Sequence, residues 1–161
     1  MFKEPSIETI NNKKLVGHST EMSVAENKTF ELFSDFMPNR KQIKNTIGED
    51  IYEVLLYDAT YFETFNPSNR FIKWATVEVL NYKAVPEGMD SLDLKEGLYA
   101  VFKYKGMAEN FHKLMTYIFT EWLPKSVYQL DNRPHFQIVG NKYKNGSPDS
   151  EEDVYIPIKK I

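Results

Sequence analysis

Cysteine is absent from the 161 residues, which excludes disulfides, thiol nucleophiles and thiolate metal sites. Glycine is scarce, with seven scattered copies, so no glycine-rich phosphate cradle can be drawn. His18, His112 and His135 have no second histidine three or four residues away, the spacing a helical metal site uses. Ser34 and Ser126 lack a nearby histidine and a sharp nucleophile elbow, so a serine triad has no support. No long basic run occurs, the nearest being the pairs Lys13-Lys14, Arg40-Lys41 and Lys159-Lys160, and the net charge is −3. Nucleic acid binding needs a clustered basic face, and none is offered. No run of about 18 apolar residues exists for a membrane span, and Met1-Phe2-Lys3-Glu4-Pro5 has no apolar signal core. A cytoplasmic protein with no cofactor is the expectation.

Aromatic residues, by contrast, are plentiful at 14%, with ten Tyr and eleven Phe. Tyrosine combines an apolar ring with a polar end and suits a half-wet pocket as well as a core rim. The length fits one domain with a real core. A repeat divides it. Phe33-Ser34-Asp35-Phe36-Met37-Pro38 is matched 86 positions later by Phe119-Thr120-Glu121-Trp122-Leu123-Pro124, every position keeping its chemical type. Each copy closes an amphipathic run with proline, which has no N–H to continue a helix.

The flanks of the two copies agree. Residues 1–12 read as a flexible leader, followed by a strand from Leu15. Ser23 and Glu26 have capping-box spacing, and the helix after them is expected to bury Phe30, Phe33, Phe36 and Met37. Strands follow at Ile51–Leu56 and Phe71–Leu80, the latter with Ile72, Trp74, Thr76 and Glu78 on one face. Pro86-Glu87-Gly88-Met89 separates the halves. In the second half Leu98–Tyr104 reads as a strand, and Phe111, Leu114, Met115, Ile118, Phe119 and Trp122 form one helical stripe. His135–Val139 and Val154–Ile158 read as strands on either side of a turn at Asn145-Gly146-Ser147-Pro148. Pro157 argues for an edge or a strand end. The expectation is one α+β domain over 13–161. In it a strand–helix–strand–strand unit occurs twice, about 14–80 and 98–158, as mainly antiparallel sheet with helices packed on it and a cleft at a pseudo-twofold seam.

Several segments resemble one family. Leu98-Tyr99-Ala100-Val101-Phe102-Lys103-Tyr104-Lys105-Gly106 is similar to the "YAvF.y.G" segment of the gyrase-inhibitor-like family, the AraC-type effector-binding domains. Trp122-Leu123-Pro124-Lys125-Ser126-Val127-Tyr128 resembles its "wLp.SgY" helix end. Arg133-Pro134-His135-Phe136-Gln137 and Val154-Tyr155-Ile156-Pro157-Ile158 resemble its closing strands. The resemblance implies a duplicated fold with a cleft that takes hydrophobic, often cationic, small molecules. Members form the sensing part of DNA-binding regulators, stand alone, inhibit DNA gyrase or hydrolyse cyclopropane-bearing toxins. The 12-residue leader has no room for a helix-turn-helix unit, so a stand-alone ligand-binding domain is expected rather than direct control of transcription. One departure stands out. The family's cleft-facing glutamate in "p.fE.Y" is Gln137 here, which hydrogen-bonds but carries no charge.

Candidate ligand-binding residues are therefore Tyr57, Trp74, Glu78, Tyr104, Trp122, Tyr128, Gln137 and Tyr155. Trp122 also belongs to the helical stripe, where core packing is its ordinary role. A charged group on an inward strand face needs a partner, which singles out Glu78. If the cleft hydrolyses a strained ligand, Glu78 is the general base and Trp74 positions the substrate. The acidic balance also permits a protein partner such as gyrase. The run Asp149 to Asp153 reads as a solvated acidic loop.

Overall fold

The computed structural model describes residues 2–140 and 149–161, with the backbone alone at 108. The expected turn at 145–148 lies outside the described residues. Among the described residues nine strands form one antiparallel sheet: β1 Ser6–Ile10, β2 Lys13–Met22, β3 Ile51–Leu56, β4 Phe71–Val79, β5 Asp90–Leu94, β6 Gly97–Lys105, β7 Tyr128–Leu130, β8 His135–Val139 and β9 Glu151–Lys160. Their order is β1-β6-β9-β8-β3-β4-β2-β5, with β7 added to the end of β9. Two helices cover it, α1 Thr29–Asn39 and α2 Phe111–Tyr117. The α+β class stands.

Both helices pack on one face. Directly opposed residues of antiparallel strands share a face, and the register links Ala75 to Glu53, Glu53 to Gln137 and Gln137 to Val154. Ala75, Val77 and Val79 pack with Leu32 and Phe36 of α1. Val154, Ile156 and Ile158 pack with Leu114 and the rest of the second helix. The opposite face buries Leu15, Tyr52, Val54, Trp74, Tyr99, Phe136 and Tyr155. No helix covers it, so the twisted sheet curls over its own apolar residues. Gly17 belongs to that tight winding: a Cβ there would strike the Ala75 carbonyl oxygen.

Four local expectations change. Residues 6–10 are not leader but a strand antiparallel to β6, in register from Ser6 opposite Val101 to Ile10 opposite Gly97. Ser23 does accept the Glu26 N–H at 2.9 Å, but as a turn, and α1 begins only at Thr29. That delay rotates the helix: Leu32 and Phe36 are buried, while Phe30 is 80% exposed and Met37 also faces out. Pro38 lies inside α1, whose end tightens into a 3₁₀ turn at Arg40–Gln42. The second helix keeps its expected stripe and widens to π geometry over Ile118–Trp122. Pro124, just beyond, has no N–H to give the Thr120 carbonyl.

Pro157 is the fourth. β9 is interior, between β6 and β8. Proline is tolerated there because β8 pairs only as far as Tyr155 and β7 begins at Ile158. The Pro157 carbonyl accepts the Asp131 N–H at 3.0 Å in that gap, so no ladder donor is missing.

Candidate functional site

Side chains alternate along a strand, and this sorts the expected site residues. Trp74, Glu78 and Tyr155 fall on the helix-free face. Trp74 and Tyr155 are core there. Glu78 opposes Leu15 and is occupied, its carboxylate 3.7 Å from Lys13 Nζ and 3.5 Å from the Tyr52 hydroxyl that donates to it. Tyr104, Trp122 and Tyr128 pack together under the second helix. The Tyr104 hydroxyl donates to the Met107 carbonyl, Trp122 Nε1 donates to Glu4 at 3.2 Å, and Tyr128 stacks on Trp122. Gln137 and Tyr57 lie on the helix-covered face, in the strip between α1 and α2. The eight residues therefore fall in three places: Trp74, Glu78 and Tyr155 on the helix-free face, Tyr104, Trp122 and Tyr128 under the second helix, and Gln137 and Tyr57 in the strip between α1 and α2.

That strip is polar at its centre. Lys73 on β4, Glu53 on β3, Gln137 on β8 and Glu152 on β9 step diagonally across the four middle strands. Lys73 Nζ is 2.7 Å from Glu53 Oε1 and also donates to Thr29 Oγ1, at the start of α1, at 2.8 Å. The side chains of Lys73 and Glu53 are only 12% and 14% exposed, and Gln137 is 8% exposed. Glu152 alternates with the buried Val154 and Ile156 and so points the same way. Burial pushes its carboxyl up to about 7, the Glu53 charge adds to that, and Lys73 partly opposes it. The acidic stretch is thus β9 rather than a solvated loop from Glu151 onward, and one of its carboxylates is turned inward.

Along the same face the next row is aromatic. His135 is paired with Leu55, and Tyr57 follows on β3's extension. The segment 57–70 folds back so that Phe62 stacks on both Phe119 of the second helix and His135, with ring centroids 4.6 and 5.3 Å apart. Tyr57 meets Tyr61, Phe71 and the edge of His135. Burial, with help from the Arg133 charge, holds the His135 imidazole down to about 3, so the ring is neutral. Its Nδ1 is buried with no hydrogen-bond partner. Burial also raises the Tyr57 hydroxyl, with charge from Tyr61 and Glu53 adding to it.

Two openings accompany these faces. One of about 60 Å³ is lined by Tyr57, Phe62, Arg133 and His135. The other, about 240 Å³, is on the helix-free face between Ile10, Lys13, Phe136 and Tyr155. The larger carries a positive charge on its wall. The smaller has the Phe62 ring in its wall.

A family model described as the GyrI-like small molecule binding domain matches residues 3–159. The chain belongs to that family: it is a GyrI-like small-molecule-binding domain. Among solved structures, the C-terminal domain of EcmrR superposes with a TM-score of 0.73 at 14% identity, covering all of both chains. An integron cassette protein from the mobile metagenome of Vibrio cholerae gives 0.70 at 14%, over 98% of this chain and 97% of that one. SAV2435, solved bound to tetraphenylphosphonium, gives 0.66 at 13%, over 98% and 94%. At such identities the likeness shows the fold. No curated protein matches the chain. Among the described residues no helix is long and apolar enough to cross a membrane.

Proposed function

We propose that the strip between α1 and α2 binds a cationic, aromatic small molecule. The observation that carries this is its charge balance: of two carboxylates, Glu53 and Glu152, only Glu53 is paired with the one ammonium, Lys73. Water is largely excluded there, so the attraction between a cation and an unmatched carboxylate is stronger than at the surface. Rings of Tyr57, Phe62 and Phe119 supply stacking and cation–π surface beside it. Gln137 adds hydrogen bonding, and the charge its position lacks is available from its neighbours on β3 and β9. Membership of a small-molecule-binding family supports the reading, and the ligand of SAV2435 supplies a first probe.

The opening beside the strip, lined by Tyr57, Phe62, Arg133 and His135, encloses about 60 Å³ and does not include Glu53, Gln137 or Glu152 in its wall, whereas ligand sites usually enclose about 300 Å³ or more. The ligand therefore displaces Phe62, whose ring stands in for one of its own, and the segment 57–70 moves with it.

Sheet order supports a duplication about this site. Exchanging β1 with β5, β2 with β6, β3 with β8 and β4 with β9 reproduces the order β1-β6-β9-β8-β3-β4-β2-β5 in reverse. In that reading Glu53 and Gln137 are counterparts across the axis, as are Lys73 and Glu152, since the register takes Glu53 to Ala75 and Gln137 to Val154. The ligand then lies on the axis, between repeats.

Calorimetric titration with tetraphenylphosphonium and with the uncharged triphenylphosphine oxide tests the function. The cation is expected to bind at least about tenfold tighter, a difference that one partly buried charge pair can supply. Equal affinities, or no binding of the cation, would contradict it.

A further inference from the structure

The two carboxylates of the strip are not equivalent. Glu53 has a cation already: Lys73 sits 2.7 Å away and is itself held by Thr29. Glu152 forms no ion pair with any described residue. The groups that face it are Glu53 from β3, Lys73 from β4 and the Tyr104 hydroxyl from β6. Of these only Lys73 is positive, and it is engaged elsewhere. A partly buried carboxylate with a like charge near it and no cation of its own keeps a proton instead.

We propose that Glu152 is the ligand's counter-charge and that a permanent cation binds by displacing a proton from it. This rests on the ligand-binding reading above and specifies how the site selects charge. The exchange is balanced: the cation enters, the Glu152 carboxyl loses one proton to the buffer, and the net charge of the strip is the same before and after. Lys73 stays on Glu53 throughout. The empty site is therefore neutral on the ligand's side and holds no bare buried anion. The structure also accounts for the missing charge at Gln137, because the carboxylate on the neighbouring strand takes over its task.

Proton exchange has two signatures. Burial and the Glu53 charge hold Glu152 at about 7, so the cation's affinity should rise about tenfold from pH 6 to pH 8 and level off above that. A neutral ligand of the same shape should bind equally across the range. At pH 6.5 titration of tetraphenylphosphonium in two buffers of different ionisation heat should report release of more than half a proton per cation bound.

Glu152→Gln keeps the shape and removes the exchangeable proton. Its cation affinity should be pH-independent and close to the low-pH value of the unmutated protein, with no proton released. Cation binding by the unmutated protein without proton release, or release that persists in Glu152→Gln, overturns the proposal while leaving the binding function intact. Absence of any cation binding overturns both, and is told apart because no heat of binding is seen in either buffer.

Discussion

Glu53 and Gln137 stand directly opposite each other where β3 meets β8, at the middle of the sheet and on its helix-covered face. One is a carboxylate held by Lys73 at 2.7 Å. The other is an uncharged amide, and the next carboxylate along the diagonal is Glu152. From this asymmetry come most of the expected behaviours of the site.

Stability should fall as pH rises through the range in which Glu152 ionises. Unfolded, its carboxyl titrates near 4.5, and folded it titrates near 7. Between those values the folded chain binds more protons than the unfolded chain, so the extra stability is present below about 4.5 and is lost by about 7. Glu152→Gln should therefore stabilise the protein at pH 8 by about 1–2 kcal/mol, allowing for solvent around a partly exposed group. At pH 4.5 the gain should be small. Urea unfolding at the two pH values checks this, and an equal effect at both would contradict it.

Lys73→Met leaves Glu53 buried without its cation. Breaking such a pair should cost about 2–4 kcal/mol, read by urea unfolding. The same variant should bind tetraphenylphosphonium more tightly, because the strip then holds two anions and no ammonium. Weaker cation binding in a folded Lys73→Met protein would show that Lys73 helps to build the site rather than compete in it.

Phe62 stacks on Phe119 and His135, where the proposed ligand would displace it. Phe62→Ala should lower stability by about 1–2 kcal/mol through lost stacking and area and should speed cation association measured by stopped flow. Unchanged association together with the stability loss would mean that the ring is core and not the ligand's stand-in.

The helix-free face gives the control. Glu78 is tied to Lys13 and Tyr52, so Glu78→Gln should leave cation affinity within about twofold, as expected of a group outside the binding contacts. Trp74→Ala should cost about 3–5 kcal/mol, the usual loss for a large core aromatic, since Trp74 is packed among Leu15, Tyr52 and Phe136. A selective loss of cation binding in Glu78→Gln would move the site to that face.

Local chemistry made much of the fold legible. Ile51–Leu56 and His135–Val139 form strands with those same limits, because short segments rich in apolar and β-branched residues favour extended backbone. β1 and β5 were not legible. Ser6–Ile10 and Asp90–Leu94 are short, polar and mostly exposed, and they lie at the two ends of the sheet order, where pairing needs no apolar signature. The buried face of α1 was misread because Phe30 and Met37 look like core by type and helical spacing, yet a start at Thr29 turns both to solvent.

The candidate site was less legible for a different reason. Its four polar residues lie on four strands, brought together by register alone, and nothing in the spacing of 53, 73, 137 and 152 announces it. Gln137 came from family resemblance and Tyr57 from its place at a strand end. Glu152 was hidden in an acidic stretch that composition assigns to solvent. Trp74 and Glu78 do share a strand face, as alternation requires, but it is the face that the helices leave uncovered.

The most direct measurement is a structure of the protein with tetraphenylphosphonium bound. The ligand is expected between α1 and α2, its charged centre within about 6 Å of an aromatic ring face and beside the Glu152 carboxylate, with Phe62 swung out of the cleft. A ligand seated on the Trp74 side, or one in the strip with Phe62 in place and Glu152 facing away from it, would contradict the assignment.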